Sequence, residues 1–431
     1  MKYIRTYDDY ESYKAEYSDT SRGFRLKPTL YKYSEAGDHV HLELDDPRKH
    51  EGSTYMEITL DSDAEFSFYI GNAPDDTQTT MNCSIDWGDG TVETKTITEE
   101  IINDDKGFKL SHSYVAGSYK IELYDVERDY GTVGGTQYQI WFTSPISHPS
   151  SVKRVVLGGS IVSIGKSMFA NCSSLTSVYI PESVTSIGEG AFYYCTSLES
   201  IYIPKSVTSI EYSAFASCTS LTSVYIPESV TSIEDSAFAS CTSLTSINIP
   251  EGVTSIAGFY GCTGLTSIYI PESVTSIGTS TFHDCTGLTS INIPEGVTSI
   301  GMSAFHGCTG LTSINIPESV TSIAGFNGCT GLTSIRIPES VTSIGVYAFD
   351  GCTGLTSIRI PESVTSIGAW VFRGCTSLTS ISSLNNTAPT LGREPFKNLP
   401  TNGTLHIKPG ATGYDAWLSK LPSGWTIVED L

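Results

Sequence analysis

Cysteine is the reactive residue type that recurs most regularly in this chain of 431 residues. Its repeated copies lie 23 or 21 residues apart, at Cys172, Cys195, Cys218, Cys241, Cys262, Cys285, Cys308, Cys329, Cys352 and Cys375. Successive turns of a β-solenoid lie about 4.8 Å apart, but side chains stacked in register point the same way. No repeat carries a CxxC pair or a histidine at a constant position, as zinc would require. We therefore expect a ladder of free, buried thiols that act as small apolar side chains.

Two further groups could bind a metal ion. His39 and His41 lie on one face of a predicted strand, where they either share a metal or face solvent. Asp86 and Asp89 either hold calcium or serve an Asp-Gly turn. The turn and the solvent-facing strand are the simpler interpretations, so we predict no metal site and no cofactor.

Composition and motifs exclude several classes of function. The net charge of −22 leaves no basic patch for nucleic acid or an anionic membrane surface. No run of 18 apolar residues predicts a membrane span, and MKYIRTYDDY lacks the apolar core of a secretory signal. There is no phosphate-binding glycine loop, HExxH or GxSxG motif. We predict that the protein is not an enzyme.

The cysteines mark the phase of a longer repeat, LTSVYIPESVTSIGEGAFYYC at residues 175–195. Alternation places Val178 and Ile180 inside, Pro181 ends the strand, and Phe192 fills the middle of the coil. No single copy can bury these side chains alone, so stacked copies must form a solenoid. We predict about ten coils of 23 residues, with two residues deleted from a surface loop in the coils of Phe259 and Phe326.

The pattern I-P-x-S-V-T-S-I-G-x-x-A-F-x-x-C-x-x-L resembles the BspA-like leucine-rich repeat family across residues 152–384. The resemblance implies surface-exposed binding, as in adhesion to host proteins or other cells. Residues 385–431 depart from the pattern and resemble the terminal cap of such arrays, with a short helix at 414–421. A cap would cover the open edge of the last coil.

Residues 51–145 alternate apolar and polar residues in short runs, which predicts an all-β domain. The segments CSIDWGDGTVET and LSHSYVAGSYKIEL resemble a polycystic-kidney-disease (PKD) domain. The matching positions are Trp87, Gly88, Asp89, Gly90, His112, Tyr114, Gly117 and Tyr119. The resemblance implies a β-sandwich that serves as a spacer or recognition module. Residues 143–150 are predicted to be a short linker to the repeats.

Residues 1–50 predict a helix followed by a hairpin. Thr6 to Asp9 fits a capping box, and a tyrosine stripe with helical spacing follows, at Tyr7, Tyr10, Tyr13 and Tyr17. TLYKYSEAGDHVHLEL predicts a hairpin that turns near residues 36–38. This opening resembles leading segments of virion proteins from phages of gut anaerobes, so we predict that it docks onto virion structural proteins.

One outward position of each repeat varies while its neighbours stay constant, and we call it the outer stripe. Its members are Tyr179, Tyr202, Tyr225, Asn248, Tyr269, Asn292, Asn315, Arg336 and Arg359. Tyrosine and arginine are enriched at binding hot spots, so the stripe is a candidate ligand face. The alternative is aromatic pairing that only stabilises the ladder. The change from tyrosine to arginine along the axis favours a ligand face.

The loop around the repeated phenylalanine also varies. Its candidate ligand residues are Tyr193, Tyr194, Tyr260, His283, Asp284, His306, Tyr347, Trp370 and Arg373. We expect Trp370 beside Arg373 to be either an exposed anchor or a half-buried contact with the cap. The glutamates after the proline form a like-charge ladder interrupted by Lys205: Glu182, Glu228, Glu251, Glu272, Glu295, Glu318, Glu339 and Glu362. Because stacked carboxylates repel, we predict a solvated face, with cation binding as the alternative.

These patterns predict a mainly β, non-enzymatic binding protein whose ligand is a host-cell surface protein or glycan. One hypothesis makes it a head or tail fibre of a phage virion, attached through residues 1–50. The alternative is an adhesin on a bacterial cell surface. A homo-oligomer is compatible with either hypothesis.

Overall fold

The structure is a computed structural model that describes residues 30–33, 39–42, 54–72, 80–98, 108–128, 140–142, 146–158 and 161–431. Two compact units divide the chain, Met1–Ser53 and Thr54–Leu431. The first unit contains strands β1 (Leu30–Tyr33) and β2 (His39–Leu42), which pair antiparallel. This pairing agrees with the two strands of the predicted hairpin, whose turn near residues 36–38 lies outside the described residues. The predicted helix with its tyrosine stripe lies outside the described residues.

The second unit begins with seven strands in two sheets that share one core. They are β3 (Thr54–Leu60), β4 (Ala64–Asn72), β5 (Thr80–Asp86), β6 (Val92–Thr98), β7 (Phe108–Tyr114), β8 (Gly117–Arg128) and β9 (Ile140–Phe142). One sheet has the order β3-β8-β5-β6, and the other has the order β9-β4-β7. Alternation buries Phe66 and Phe68 of β4, and Phe68 lies 6.2 Å from the buried Trp87, measured between ring centroids.

Both sheets continue into the solenoid. After a 3-10 turn at Pro149–Ser151, β10 (Val152–Val156) pairs antiparallel with β3. Strand β11 (Ile161–Ile164) pairs in parallel with β9. The described part of the predicted linker is held in place, because Ile146 is buried and the Ser147 N–H donates to the Ser67 carbonyl at 2.9 Å. These pairings cover the first edges of the solenoid, which would otherwise be open to other chains.

Each coil contributes two short segments that pair in parallel with those of neighbouring coils, one in each of two series. The first series is β12 (Ser177–Tyr179), β14 (Ser200–Tyr202), β16 (Ser223–Tyr225), β23 (Ser357–Ile360) and β25 (Ser380–Ser383). Between β16 and β23 it is reduced to single bridges, Asn248 with Tyr269, Asn292 with Asn315, and Arg336 with Arg359. The second series is β13 (Ser186–Ile187), β15 (Ser209–Ile210), β17 (Ser232–Ile233), β18 (Ser255–Ile256), β19 (Ser276–Ile277), β20 (Ser299–Ile300), β21 (Ser322–Ile323), β22 (Ser343–Ile344), β24 (Ser366–Ile367) and β26 (Thr390–Leu391).

The repeated phenylalanines form a continuous buried stack along the axis. Phe192 and Phe215 are representative, with ring centroids 5.4 Å apart and planes within 3°. The stack confirms that Phe192 fills the middle of its coil, together with Val184 and Ile187, which are also fully buried. Such packing exists only between coils, which is why one repeat cannot fold alone.

Serine and threonine do more than cover the surface. Ser183 Oγ donates to the Ile161 carbonyl at 2.6 Å, and Thr185 Oγ1 donates to the Val162 carbonyl at 3.3 Å. The equivalent hydroxyls recur down the array, each donating to the preceding coil. The repeated S-V-T-S segment therefore joins neighbouring coils through its side chains, a role that its polarity alone did not predict.

The coils shortened by two residues rely on glycine. Gly258 and Gly325 have φ of 103° and 95°, in the region that side chains with a Cβ rarely adopt. A Cβ on Gly258 would lie 2.8 Å from the Glu234 carbonyl oxygen of the preceding coil. The shortening is thus possible only because the backbone makes a close approach at these two positions.

The C-terminal region extends the solenoid instead of departing from it. Strand β27 (Thr404–Ile407) pairs in parallel with β25, and β28 (Thr426–Glu429) pairs in parallel with β27. Phe396 continues the phenylalanine stack, and Trp417 of helix α1 (Asp415–Leu418) packs on it at 5.5 Å. The solenoid therefore has about 12 turns, more than the ten that the cysteines mark.

Candidate functional site

The outer stripe lies at one register position of the first strand series. Strand pairing and single bridges align Tyr202 with Tyr225, Asn248 with Tyr269, and Arg336 with Arg359. Every member is exposed except Tyr225, which is half-buried. Strand β25 pairs with β23 and with β27, which adds Ser382 and His406 to this row because the cap continues the same sheet. The repeat period also places Ser382 in the row, whereas His406 lies beyond the cysteine-marked repeats.

Carboxylates of preceding coils hold several side chains of the stripe. The Tyr202 hydroxyl donates to Glu182 at 3.2 Å, and the Tyr269 hydroxyl donates to Glu251 at 3.4 Å. Tyr202 also stacks on Tyr225, with ring centroids 5.4 Å apart and planes within 4°. Aromatic pairing that stabilises the ladder is the alternative interpretation of the outer stripe. The tyrosine end of the stripe therefore has at least this structural role.

The cationic end of the stripe borders an open cleft of about 270 Å³. Arg336 and Arg359 line it, together with Glu339 and Pro361. Arg336 forms an ion pair with Glu318 of the preceding coil. Among the residues that the structure describes, none forms an ion pair with Arg359. The cleft therefore presents two adjacent guanidinium groups, of which only that of Arg336 forms an ion pair with a described carboxylate.

The glutamate ladder is exposed, as predicted, but its carboxylates also make specific contacts. Glu182 accepts from the backbone N–H of Lys205 at 3.1 Å, and Glu318 accepts from that of Glu339 at the same distance. Glu362 pairs with Lys408 of the cap at 2.9 Å. Contacts between successive coils therefore offset part of the repulsion between like charges.

The position directly after each phenylalanine forms a second row, which we call the loop ridge. From Tyr260 onward its members are Tyr260, His283, His306, Asn327, Asp350 and Arg373. The Tyr260 and His283 rings lie 4.9 Å apart, and the His283 and His306 rings stack at 4.3 Å. The Asn327 amide contacts His306 Nδ1. The ridge thus includes four residues proposed from the sequence, Tyr260, His283, His306 and Arg373, and adds Asn327 and Asp350, which the sequence analysis did not single out.

Trp370 is half-buried, not an exposed anchor. Its ring stacks on Tyr347 at 5.1 Å, and its Nε1 donates to Glu394 at 3.3 Å. Arg373 holds Asp350 through two parallel contacts, Nε to Oδ1 at 2.8 Å and Nη2 to Oδ2 at 2.5 Å. Glu394 belongs to the cap. Trp370 is therefore the half-buried contact with the cap that the sequence analysis gave as the alternative to an exposed anchor.

Tyr193 and Tyr194 are the aromatic pair at the other end of the array. Both are exposed, by 43% and 47%, and their ring centroids lie 6.1 Å apart. Tyr194 has a left-handed φ of 60° at a position where other coils carry serine, asparagine, aspartate or glycine. Tyr193 occupies the same loop position as Tyr260, but Ala216 and Ala239 hold this position in the two coils between them, so the pair is separated from the loop ridge that begins at Tyr260.

The cysteines are free and buried, which confirms the predicted thiol ladder. From Cys195 to Cys375, each thiol of the ladder also donates to the carbonyl of a phenylalanine in the preceding coil, as from Cys195 Sγ to Phe169 at 3.2 Å. Burial raises the pKa of Cys172 and Cys375 to about 12. A thiol with such a pKa is protonated at neutral pH and is a poor nucleophile or metal ligand.

The two aspartates of the WGDG segment are engaged by the turn itself. Asp86 Oδ1 accepts from the Gly88 N–H at 2.8 Å, and Asp89 Oδ1 accepts from the Thr91 N–H at 2.9 Å. Asp89 Oδ2 lies 2.8 Å from His112 Nε2, whose ring stacks on Trp87. The hydrogen bond from His112 is the main cause that lowers the pKa of Asp89 to about 2. These contacts agree with the turn interpretation, and calcium binding by the aspartates stays untested.

Comparison with known proteins identifies the repeats. No helix among the described residues is both long and apolar enough to cross a membrane. No curated protein matches the sequence. A leucine-rich repeat protein from Bacteroides ovatus is 28% identical, with a TM-score of 0.51 over 65% of this chain and 84% of that one. A leucine rich cell surface protein from Faecalibacterium prausnitzii is 29% identical, with a TM-score of 0.38 over 57% and 90%.

The model of the BspA type leucine rich repeat region matches residues 147–258, 257–326 and 324–412. These segments together span more than half of the chain. They include every cysteine-marked coil and reach into the C-terminal turns that the sequence pattern alone did not include. The chain therefore belongs to the BspA type leucine rich repeat family.

Proposed function

We propose that this protein is a non-enzymatic binding protein that presents the outer stripe to a protein or glycan on a host cell. The observation that carries the proposal is the pair Arg336 and Arg359, adjacent and exposed in a chain of net charge −22. Two cations stacked on neighbouring strands repel each other, and among the described residues only Arg336 has a carboxylate partner, Glu318. An anionic group bound between them would remove this repulsion.

The chemistry of the stripe suggests which ligand groups it accepts. A guanidinium group presents paired N–H donors that match carboxylate, sulfate or phosphate oxygens. The tyrosines offer flat, amphipathic contact area with little rotamer entropy to lose. Because Glu182, Glu251 and Glu318 already hold members of the stripe, ordering these side chains on binding costs less. We therefore favour an acidic glycan or an acidic protein segment.

Membership of a repeat family of surface and binding proteins supports a place on a bacterial cell surface. A virion fibre is the second candidate, and the separate compact unit Met1–Ser53 supports it as a docking segment. In both cases residues 54–142 would act as a PKD-like spacer. The pairing of β3 with β10 supports a spacer that is rigid with respect to the repeats.

The ligand-binding role is tested with the double variant Arg336→Ser/Arg359→Ser and the double variant Tyr202→Ser/Tyr225→Ser. Binding to an array of neutral and acidic glycans and to host cells is measured for each. Loss of the arginines should weaken binding roughly tenfold or more per charged contact, with little change in Tm. Lys166→Ser is the matched control, since Lys166 is an exposed cation outside the stripe that pairs with Glu189. Unchanged binding with a lowered Tm would show that the stripe only stabilises the ladder.

The location is tested separately. Antibodies against the solenoid should label intact bacterial cells if the protein is an adhesin, and purified phage particles if it is a virion fibre. Deletion of residues 1–53 should then abolish incorporation into the particle while the solenoid keeps its Tm. A deletion variant that still assembles would show that docking lies elsewhere.

A further inference from the structure

The loop ridge brings together three side chains that can bind a metal ion. One nitrogen of His283, one carboxylate oxygen of Asp284 and one nitrogen of His306 all lie within 4.8 Å of one another. All three residues are half-buried. The two histidines are 23 positions apart, so they belong to successive coils and meet only because the coils stack.

The cluster contains a polar atom that the described chain does not satisfy. His283 Nδ1 is buried without a hydrogen-bond partner among the described residues, although it lies 3.3 Å from Asp284 Oδ2. A buried ring nitrogen that makes no hydrogen bond is unfavourable, and a cation bound between this nitrogen and the carboxylate of Asp284 would satisfy both groups.

The neighbouring coil leaves space for the carboxylate and orients the second ring. Position 307, next to Asp284 in the following coil, is glycine, and a Cβ there would collide with Asp284 Oδ1. The Asn327 amide contacts His306 Nδ1 from the coil beyond. An amide can present either oxygen or NH₂ after a half-turn. When its oxygen faces Nδ1–H, the unprotonated Nε2 of His306 is available to a metal.

We propose that His283, Asp284 and His306 form a binding site for a divalent transition-metal ion of borderline softness, such as Zn²⁺. Two imidazoles and one carboxylate are the donor set that Zn²⁺ accepts, with bonds of about 2.0–2.2 Å. The donors must therefore move closer together, which rotation of the half-buried side chains allows. Three protein ligands leave at least one coordination position for water or for an oxygen of a bound ligand. The ion would also join two coils of the solenoid.

The test uses the full chain after chelator treatment, with Zn²⁺ as the probe in isothermal titration calorimetry. Each ligand is replaced by the residue that a neighbouring coil carries at the same position: His283→Tyr as in Tyr260, His306→Asn as in Asn327, and Asp284→Gly as in Gly307. These replacements are compatible with the fold of the loop. Each should lower the Zn²⁺ affinity roughly 100-fold or more, and Asn327→Leu should lower it about 10-fold or more.

A control variant, His406→Asn, removes a histidine that pairs with Asp430 in the C-terminal turns and should bind Zn²⁺ as the wild type does. The variant His39→Ala/His41→Ala tests whether the two N-terminal histidines bind Zn²⁺. It should have the same Zn²⁺ affinity as the wild type. Co²⁺ in place of Zn²⁺ gives a visible absorption band that the three ligand variants should lack. Absence of Zn²⁺ binding by the wild type would overturn the proposal, as would equal affinity in the wild type and the ligand variants.

Discussion

Met56 and Val155 lie opposite each other in an antiparallel strand pair, at the point where the N-terminal β strands meet the solenoid. On its other side Val155 pairs in parallel with Val178 of the next coil. Strand β10 is therefore both the first strand of the solenoid and an inner strand of the sheet that contains β3. The N-terminal strands thus act as the first cap of the array, in addition to any role as a spacer.

A variant that begins at residue 146 should lose the strands that cap the first coil of the solenoid. Without β3 and β9, the strands β10 and β11 become open parallel-sheet edges that pair readily with other chains. We expect a Tm lowered by several degrees and concentration-dependent oligomers in light scattering. A variant that begins at residue 54 is the control, because it keeps the complete second unit. If the shorter variant has the same Tm as the control and forms no more oligomers, the first coil does not need β3 and β9 to cover its edges.

The shortened coils provide a test of backbone strain. Gly258→Ala should destabilise the protein by about 2 kcal/mol or more, since φ is 103° and the new Cβ would meet the Glu234 carbonyl. Gly252→Ala in the same coil is the control, because its nearest contacts lie at 3.5 Å. The measurement is the urea midpoint followed by circular dichroism. Equal midpoints for the two variants would contradict the structural role assigned to Gly258.

The burial of the cysteines predicts that their thiols react with thiol reagents in the unfolded protein but not in the folded protein. Burial raises the pKa of Cys262 and Cys329 to about 12, and that of Cys83 to about 11. With little thiolate and no access to solvent, none of the eleven cysteines should react with a disulfide reagent at pH 8 in the folded protein. All eleven should react in guanidinium chloride. Rapid reaction of several thiols in the native protein would show that the coils open locally.

The lowered pKa of Asp89 predicts how the free energy of unfolding depends on pH. Its pKa is lowered from 3.8 to about 2 in the folded protein, mainly by the hydrogen bond from His112. A depressed carboxyl pKa stabilises the folded state at pH values above the unfolded pKa, and this contribution is lost as the pH falls from about 4 to 2. Asp89→Asn should therefore be less stable than the wild type at pH 7, by an amount that diminishes below pH 4.

The comparison is made with urea midpoints measured between pH 2 and 7. Asp235→Asn serves as control, since Asp235 is an exposed carboxylate in a solenoid loop. It should follow the wild type over the whole range. A difference between Asp89→Asn and the wild type that stays constant down to pH 2 would show that the carboxylate charge of Asp89 does not contribute.

Much of this protein was readable from its repeat. Because every coil places the same position in the same environment, the chain itself shows which residues the fold requires and which vary. Period and alternation account for the buried roles of Phe192 and Cys195, the pairing of β1 with β2 and the exposure of most of the stripe. His283 and His306 are one repeat apart, so the period contained the information that their rings meet, although the sequence analysis named them only as separate candidates.

Other features depended on contacts between segments that share no pattern. The joining of β3 to β10, the turns added by β27 and β28, and the burial of Trp370 against Glu394 involve residues far apart in the chain or outside the repeat. So do the contacts that complete the His283 cluster, where Asp284 and Asn327 occupy positions that differ between coils. A repeat predicts its own stacking because each coil meets a near copy of itself. The repeat does not predict which segments pack against the two ends of the solenoid. Nor does it predict which variable side chains come together, because both depend on the tertiary structure of the whole chain.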